Sequence, residues 1–157
     1  MADRIAVMRA GRIVQHGTPV DLYFHPNQAF VAELLGEVNR FSARVRDGRA
    51  HTPFGAVLAD GLSDGTAVEV LIRPETLKLR PIADGETPAS AARVQASRML
   101  GRSSLIHLSV SDMDGRRLHL HSRVPGRFLP APDQVVEVEF DPSLAFVFPA
   151  PDPSEVA

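Results

Sequence analysis

Residues 68–79 read Val-Glu-Val-Leu-Ile-Arg-Pro-Glu-Thr-Leu-Lys-Leu, and this stretch decides the fold. In its first half, aliphatic residues at 68, 70 and 72 alternate with Glu69, Leu71 and Arg73, which is the two-residue period of a β-strand with one face in a core. Pro74 has no amide donor and biases the residue before it towards an extended backbone, so the strand must end or bend there. A shorter alternation follows and ends at Pro81. The stretch predicts two short strands hinged at Arg-Pro-Glu, as where the chain of a small barrel turns a corner.

The charged residues of this corner suggest a structural role when their chemistry is considered alone. Arg73 and Glu75 flank Pro74 and carry opposite charges. Exposed ion pairs of this kind contribute little to stability. On this basis we expect Arg73 and Glu75 to form a solvated pair beside a structural proline.

Composition limits the classes of function. The 157 residues suit about one domain, and 17 basic against 19 acidic side chains give a net charge of −2, which argues against strong attraction to nucleic acid or anionic lipid. The absence of cysteine excludes a disulfide framework, a thiolate nucleophile and a zinc–thiolate site. No apolar run approaches the ~20 residues of a membrane-spanning helix, and the N-terminus lacks the features of a signal peptide. We therefore expect a soluble intracellular polypeptide without membrane insertion.

The first part of the chain predicts a hairpin followed by a short helix. Two β-rich runs, Ile5–Arg9 and residues 12–16, meet at Ala10-Gly11, which is typical of a tight turn. Thr18 is a good N-cap because Pro19 follows it and Asp21 stands three residues along, an approximate capping box. The hairpin is marginal by itself in water, so we expect it to pack on the barrel or on a second copy of the chain.

A second helix is expected after Pro26. Asn27 can cap it, apolar residues recur at helical spacing, and Gly36 supplies a left-handed C-terminal position. Tyr23 and Phe30 could be imagined as a ligand-stacking pair. Aromatic residues at such spacing are far more often packing residues, and we interpret both as core.

From Asn39 onward the apolar period becomes two. Asp-Gly pairs recur at 47–48, 60–61 and 64–65, a pattern typical of antiparallel strands in a small barrel or sandwich. Residues 82–90 are poor in apolar side chains and predict a surface loop. Residues 101–104 predict a second break. The proline-rich segment 150–157 predicts a disordered tail.

The clearest hairpin joins residues 105–111 to residues 117–124. If its loop is Met113-Asp114-Gly115, the glycine occupies the left-handed bulge position. The resulting register places the apolar set on one face, with two directly opposed pairs: Val110 with Leu118, and Leu108 with Leu120.

The same register gathers three imidazoles on the other face. It puts His107 opposite His121 and Ser109 opposite His119, and residues two apart on a strand share a face. Imidazoles in this arrangement would suit zinc, copper or nickel rather than a hard ion that prefers oxygen ligands. Because the sequence offers no obvious carboxylate to support such ligands, we expect a solvated polar face that responds modestly to pH, and no metal site.

No nucleotide-hydrolysing motif is present in the sequence. It contains no Gly-x-x-x-x-Gly-Lys-Ser/Thr loop, no Leu-Ser-Gly-Gly-Gln-type signature and no hydrophobic run ending in Asp-Glu. No serine lies in a nucleophile-elbow context. We therefore expect this chain not to be an enzyme.

Several short motifs resemble a known accessory domain. Val-Leu-Ile-Arg-Pro-Glu at 70–75 resembles the core motif of the TOBE domain, and the segments 139–142 and 145–149 are similar to that family's closing strands. The resemblance implies a mainly β fold: an OB-like antiparallel β-barrel, here preceded by a β-hairpin and two short helices. It also implies that Arg73, Pro74 and Glu75 serve as structural or dimer contacts.

The N-terminal segments resemble a different part of the same proteins. Residues 3–8 and 11–19 resemble the end of the ATPase domain of bacterial ABC importers, and residues 23–39 resemble the connector that follows it. The implied organisation is an ATPase terminal hairpin at 1–17, a helical connector at 18–38, a TOBE barrel at 39–149 and a tail at 150–157.

The implied function is that of a C-terminal regulatory and dimerisation domain in the ATP-binding subunit of a bacterial ABC importer. Such a subunit homodimerises beneath permease subunits at the cytoplasmic face of the cell membrane, and its ATPase domain holds ATP and Mg²⁺, so we expect no cofactor in this chain. Gly-Arg-Ser at 101–103 and His-Ser-Arg-Val-Pro-Gly at 121–126 favour the ferric-iron or polyamine branch.

A stand-alone binding module is the alternative. Such a barrel would capture a small oxyanion such as molybdate, as some TOBE domains do, or a single nucleic-acid strand. Nucleic-acid binding would require aromatic stacking platforms in a basic groove. The chain has no Trp and one Tyr, which disfavours that version of the alternative.

Overall fold

The computed structural model describes residues 3–86, 88–112 and 114–151. Within them the chain is mainly β and antiparallel, which confirms the predicted fold class. Two units are distinguished, Met1–Val38 and Asn39–Ala157. Met113 of the predicted hairpin loop and residues 152–157 of the predicted tail lie outside the described part. No helix in the described ranges is long and apolar enough to cross a membrane.

The first unit contains the predicted hairpin and two helices. Strands β1 (Ile5–Arg9) and β2 (Arg12–Gly17) are antiparallel, and helices α1 (Pro19–Phe24) and α2 (Ala29–Leu34) follow. The hairpin turn has positive φ at both central positions, 52° at Ala10 and 78° at Gly11. This backbone matches the twist of the flanking strands.

The N-terminus of α1 has the predicted capping box. Thr18 Oγ1 accepts a hydrogen bond from the amide of Asp21 at 3.1 Å, and Asp21 Oδ2 accepts one from the amide of Thr18 at 3.3 Å. Hydrogen bonds that the Asp21 carboxylate accepts from the Thr18 side chain and, second, from the Thr18 amide hold its pKa below the ordinary value, since they favour the charged form.

The predicted termini of α2 are wrong. The N-cap is Gln28, which makes no side-chain cap bond. Asn27 instead donates from Nδ2 to the carbonyl of Val14 at 2.7 Å, and its amide donates to Gln15 Oε1 at 2.9 Å, so β2 engages the residue expected to cap the helix. Gly36 is not among the glycines with positive φ.

The hairpin is covered from within its own unit. Val7 is buried with Leu22 and Val31 of the two helices, and Phe30 packs against this cluster, as expected for a packing residue. Tyr23 is half-buried, with its ring edge-to-face against Phe24 at 4.9 Å. The helices of the same unit therefore supply cover for the hairpin that we expected from the barrel or from a second copy of the chain.

The second unit consists of two antiparallel sheets of five strands each. One sheet has the order β12-β6-β3-β4-β5 and the other has the order β10-β9-β8-β11-β7. The strands are β3 (Asn39–Arg46), β4 (Arg49–Thr52), β5 (Gly55–Leu58), β6 (Ala67–Ile72), β7 (Lys78–Pro81), β8 (Ala91–Leu100), β9 (Ser103–Ser111), β10 (Arg117–Pro125), β11 (Val135–Glu139) and β12 (Phe146–Pro149).

The Arg-Pro-Glu stretch carries the chain from one sheet to the other. Strand β6 belongs to the first sheet and β7 to the second, and a single 3-10 turn, Pro74–Thr76, separates them. The predicted pair of strands hinged at this position is confirmed.

One core fills the space between the sheets. Both sheets contribute buried aliphatic side chains to it, together with Phe41, which meets Phe54 edge-to-face at 5.9 Å. The predicted Asp-Gly turn between β3 and β4 is present, with φ of 52° at Asp47 and 73° at Gly48. The largest aliphatic members with under 2% exposure are Ile72, Leu77, Ile106, Leu108 and Leu120.

The β9–β10 register is the one expected from the sequence. Val110 faces Leu118 and Leu108 faces Leu120. Gly115 has a φ of 82°, as its predicted position requires. The break predicted at 101–104 is shorter than expected, because Ser103 already belongs to β9.

Candidate functional site

The structure corrects the view of the Arg-Pro-Glu corner as a solvated ion pair. Glu75 is exposed, but Arg73 is only 2% exposed and Pro74 is also buried. The face of β6 expected to meet solvent is covered, since Leu71 is fully buried too. Leu71 pairs with Phe146 of β12, and the guanidinium carbon of Arg73 lies 5.5 Å from the centroid of the same ring.

The contacts of Arg73 fix the corner. Its carbonyl accepts two hydrogen bonds from Thr76, one from the amide at 3.0 Å and one from Oγ1 at 2.8 Å. Burial lowers the pKa of the guanidinium from its ordinary value, because desolvation disfavours the charged form, yet arginine stays protonated in proteins. A cation above an aromatic face is attracted to it. This arrangement suits a rigid corner and provides no nucleophile or base.

The three predicted histidines do come together on β9 and β10. His107 pairs directly with His121, and His119 pairs with Ser109. The Nδ1 of His107 lies 3.1 Å from the Nε2 of His119. One ligand nitrogen from each ring can be chosen so that all three lie within 4.8 Å of one another. His119 is exposed and the other two are half-buried, so the cluster is open to solvent.

A buried asparagine holds one of these histidines from the other sheet. Asn39, at the start of β3, is 6% exposed. Its Nδ2 donates to the carbonyl of His121 at 2.8 Å, and its Oδ1 accepts from the amide of His121 at 2.8 Å. Because β10 is an edge strand, these two bonds satisfy backbone groups that no neighbouring strand reaches.

The sequence analysis did not predict the buried polar side chains that bond distant backbone groups. In the sequence, Asn39 is identifiable only as the first residue of a strand. Its hydrogen-bond partner, His121, is 82 residues away. Ser122 is likewise fully buried, and its Oγ donates to the carbonyl of Leu77 at 2.8 Å. A polar residue at an inward position of an alternating strand is the one signal that could have marked Ser122.

Three arginines share the sheet face of the histidine cluster. Arg117 and Arg123 stand two residues before His119 and two residues after His121, so strand alternation puts them on the same face. Arg93 of β8 pairs with Ser109. A groove of about 1200 Å³ is lined by parts of β8 and β9 and by the β4–β5 loop, and includes Arg93 and Arg117.

Comparison with known protein families identifies the second unit. The TOBE domain family matches residues 70–148, half of the chain, from within β6 to within β12. The chain belongs to the TOBE domain family. The resemblance inferred from the Arg-Pro-Glu stretch is thereby confirmed.

Curated relatives match most of this chain with only part of their own length. The chain is 37% identical over 142 residues to the Fe(3+) ions import ATP-binding protein FbpC of Streptomyces avermitilis, which covers 90% of this chain and 39% of that protein. It is 35% identical over 141 residues to the sulfate/thiosulfate import ATP-binding protein CysA 2 of Chromobacterium violaceum, covering 83% and 38%. The chain thus spans about two fifths of the length of these relatives. Its predicted similarity to ATP-binding subunits of importers is confirmed.

A solved structure aligns with part of the chain. The cytoplasmic molybdate-binding protein ModG, with molybdate bound, aligns with a TM-score of 0.49 and 12% identity, covering 72% of this chain and 96% of that one.

Proposed function

We propose that this chain is the C-terminal regulatory and dimerisation domain of the ATP-binding subunit of a bacterial ABC importer. The observation that carries the proposal is the alignment with the FbpC of Streptomyces avermitilis. It spans 90% of the chain and therefore extends well beyond the 79 residues matched by the TOBE family. Since so much of the chain aligns, the first unit also has a counterpart in an importer subunit.

The described structure supports a scaffolding role. The corner at Arg73 and Pro74 is buried, and Glu75 is exposed beside it, where it can meet a partner subunit. In this proposal ATP and Mg²⁺ are held by an ATPase domain of the same subunit. Two subunits associate beneath the permease at the cytoplasmic face of the membrane. Ferric iron is the proposed cargo, because the Streptomyces avermitilis relative is named as an Fe(3+) import protein.

Two measurements on the isolated chain test the proposal. Phosphate release in the presence of Mg·ATP should equal the buffer blank. Sedimentation velocity should show a dimer whose fraction of the total protein rises with protein concentration. A Glu75→Lys variant should weaken that dimer, whereas Glu86→Lys, an exposed change elsewhere in the same unit, should not. Turnover of ATP by the purified chain would refute the accessory role. A monomer at every concentration would refute the dimer contact.

Capture of a small oxyanion is the second candidate, and the groove favours it. Arg93 and Arg117 both line this groove, and guanidinium groups bind oxyanions through paired hydrogen bonds. Calorimetry with molybdate and with sulfate tests the idea. Binding that is lost in Arg117→Gln would favour the module, and the absence of heat with either anion would eliminate it.

A further inference from the structure

We propose that His107, His119 and His121 bind one divalent transition-metal ion, with zinc and copper the best fits. This departs from our expectation of a solvated polar face, because the structure shows how close the donor atoms are. The inference concerns only the face of β9 and β10 and stands independently of the importer function.

The donor spacing is near that of a coordinated ion. Zinc–imidazole bonds of 2.0–2.1 Å in a tetrahedral site place ligand nitrogens about 3.4 Å apart. Here the three nitrogens lie within 4.8 Å of one another, and Nδ1 of His107 is already 3.1 Å from Nε2 of His119. Small side-chain rotations would bring all three nitrogens to bonding distance from a single ion. The ion would then replace the hydrogen bond between these two rings.

The backbone beneath the cluster is already ordered. His119 and His121 are two apart on β10, and His107 lies directly opposite His121 in a continuous antiparallel ladder. Asn39 fixes the backbone of His121 through two hydrogen bonds. Ligands carried by fixed strands lose little entropy on binding, which favours affinity.

The donor atoms select the kind of ion. All three are imidazole nitrogens, whereas hard cations such as Ca²⁺ and Mg²⁺ take oxygen ligands. Arg93, Arg117 and Arg123 share the face with the cluster and attract no cation of either kind. Neutral imidazoles suit zinc, copper and nickel because these ions bind nitrogen donors covalently. Three histidines leave a fourth position open, and the surrounding arginines favour an anionic ligand there.

The test is calorimetric titration of the 157-residue chain, stripped with chelator, with Zn²⁺ in a buffer free of phosphate at pH 7.5. We expect one ion per chain. His119→Gln should lower the affinity at least about ten-fold, which is the smallest effect usual even for residues that only support metal ligands. Because His119 is exposed, this variant should fold, and far-ultraviolet circular dichroism checks that it does. The control is His51→Gln, an exposed histidine of β4 outside the cluster, which should bind as the parent does.

A second readout reports the ligands directly. Electron paramagnetic resonance of the Cu²⁺-loaded chain should show hyperfine coupling to three nitrogens, falling to two in His107→Gln. The proposal is overturned if Zn²⁺ produces no saturable heat, or if His119→Gln and His51→Gln bind alike. It is also overturned if the metal-free chain binds phosphate at the cluster and does not bind Zn²⁺ there, since the face would then be an anion site.

Discussion

Replacing Asn39 with alanine should destabilise the second unit through the loss of two hydrogen bonds. The side chain is 6% exposed and bonds both backbone groups of His121 at 2.8 Å. It therefore ties the first strand of one sheet to the edge strand of the other. The substitution removes both bonds and leaves the His121 amide and carbonyl without the partners they have in the native fold.

The magnitude follows from these contacts. A hydrogen bond contributes about 1 kcal/mol net, and a buried polar group left unsatisfied costs about 1–3 kcal/mol. Because His121 is only half-buried, water can reach its backbone in the variant, so the penalty falls at the lower end. We expect Asn39→Ala to lower the free energy of unfolding by about 2–3 kcal/mol. Asn39→Asp keeps the acceptor and loses the donor, and its carboxylate then faces the His121 carbonyl, so its loss should be at least half as large.

Urea unfolding followed by circular dichroism measures the change, and amide hydrogen exchange at His121 locates it. Ser42→Ala is the matched control, because Ser42 is an exposed residue of the same strand, and it should stay within about 0.5 kcal/mol of the parent. If Asn39→Ala unfolds like the control and the His121 amide keeps its protection, the contact between the sheets has no energetic role and the reasoning fails.

Three further substitutions test other parts of the fold. Leu108→Ala removes a side chain with no exposed surface and should cost about 2–5 kcal/mol in urea unfolding, whereas Leu58→Ala, 63% exposed, should be close to neutral; equal effects would place the core elsewhere. Gly48→Ala should lower the free energy of unfolding by about 1–2 kcal/mol, because φ is 73° there. The added methyl group would meet no atom within 4 Å, so the cost would come from the backbone alone. An unchanged unfolding midpoint would contradict the turn geometry. Thr18→Ala should raise the pKa of Asp21 towards its ordinary value in a nuclear magnetic resonance titration. An Asp21 pKa that is the same in both proteins would refute the capping box. A carboxyl whose pKa is lowered by folding stabilises the fold above its unfolded pKa, and this contribution disappears as the pH falls through the lowered value.

The features that sequence predicted well are local. The period of two in residues 68–72 and the proline that interrupts it determine β6 and the corner without reference to distant residues. The β9–β10 register follows from keeping Leu108, Val110, Leu118 and Leu120 on one face, since a slip of one residue would expose them all.

The features that sequence missed depend on tertiary contacts. Leu71 and Arg73 should have been solvated by strand alternation, but β12 supplies Phe146 to that face. Asn27 has the chemistry of a helix cap, yet its side-chain Nδ2 donates to the carbonyl of Val14. Neither neighbour can be identified from periodicity, because each is set by how the elements pack.

The candidate site also combines a feature that the sequence predicted with features that it did not predict. Register alone placed His107, His119 and His121 on one face, so the cluster was predictable. The distances between their nitrogens were not, because they depend on side-chain rotamers. Nor was the role of Asn39, because no local pattern connects it to a strand 82 residues away.

The most direct test of the importer assignment is the size and location of the native polypeptide in its own cells. Since 142 residues make up 39% of the Streptomyces avermitilis relative, that protein is about 360 residues long. At the mass per residue of this chain, 17.0 kDa for 157 residues, a subunit of that length has a mass of about 40 kDa. An antibody raised against the chain should detect a band of about 40 kDa in the membrane fraction. A band of 17 kDa confined to the soluble fraction would contradict the assignment.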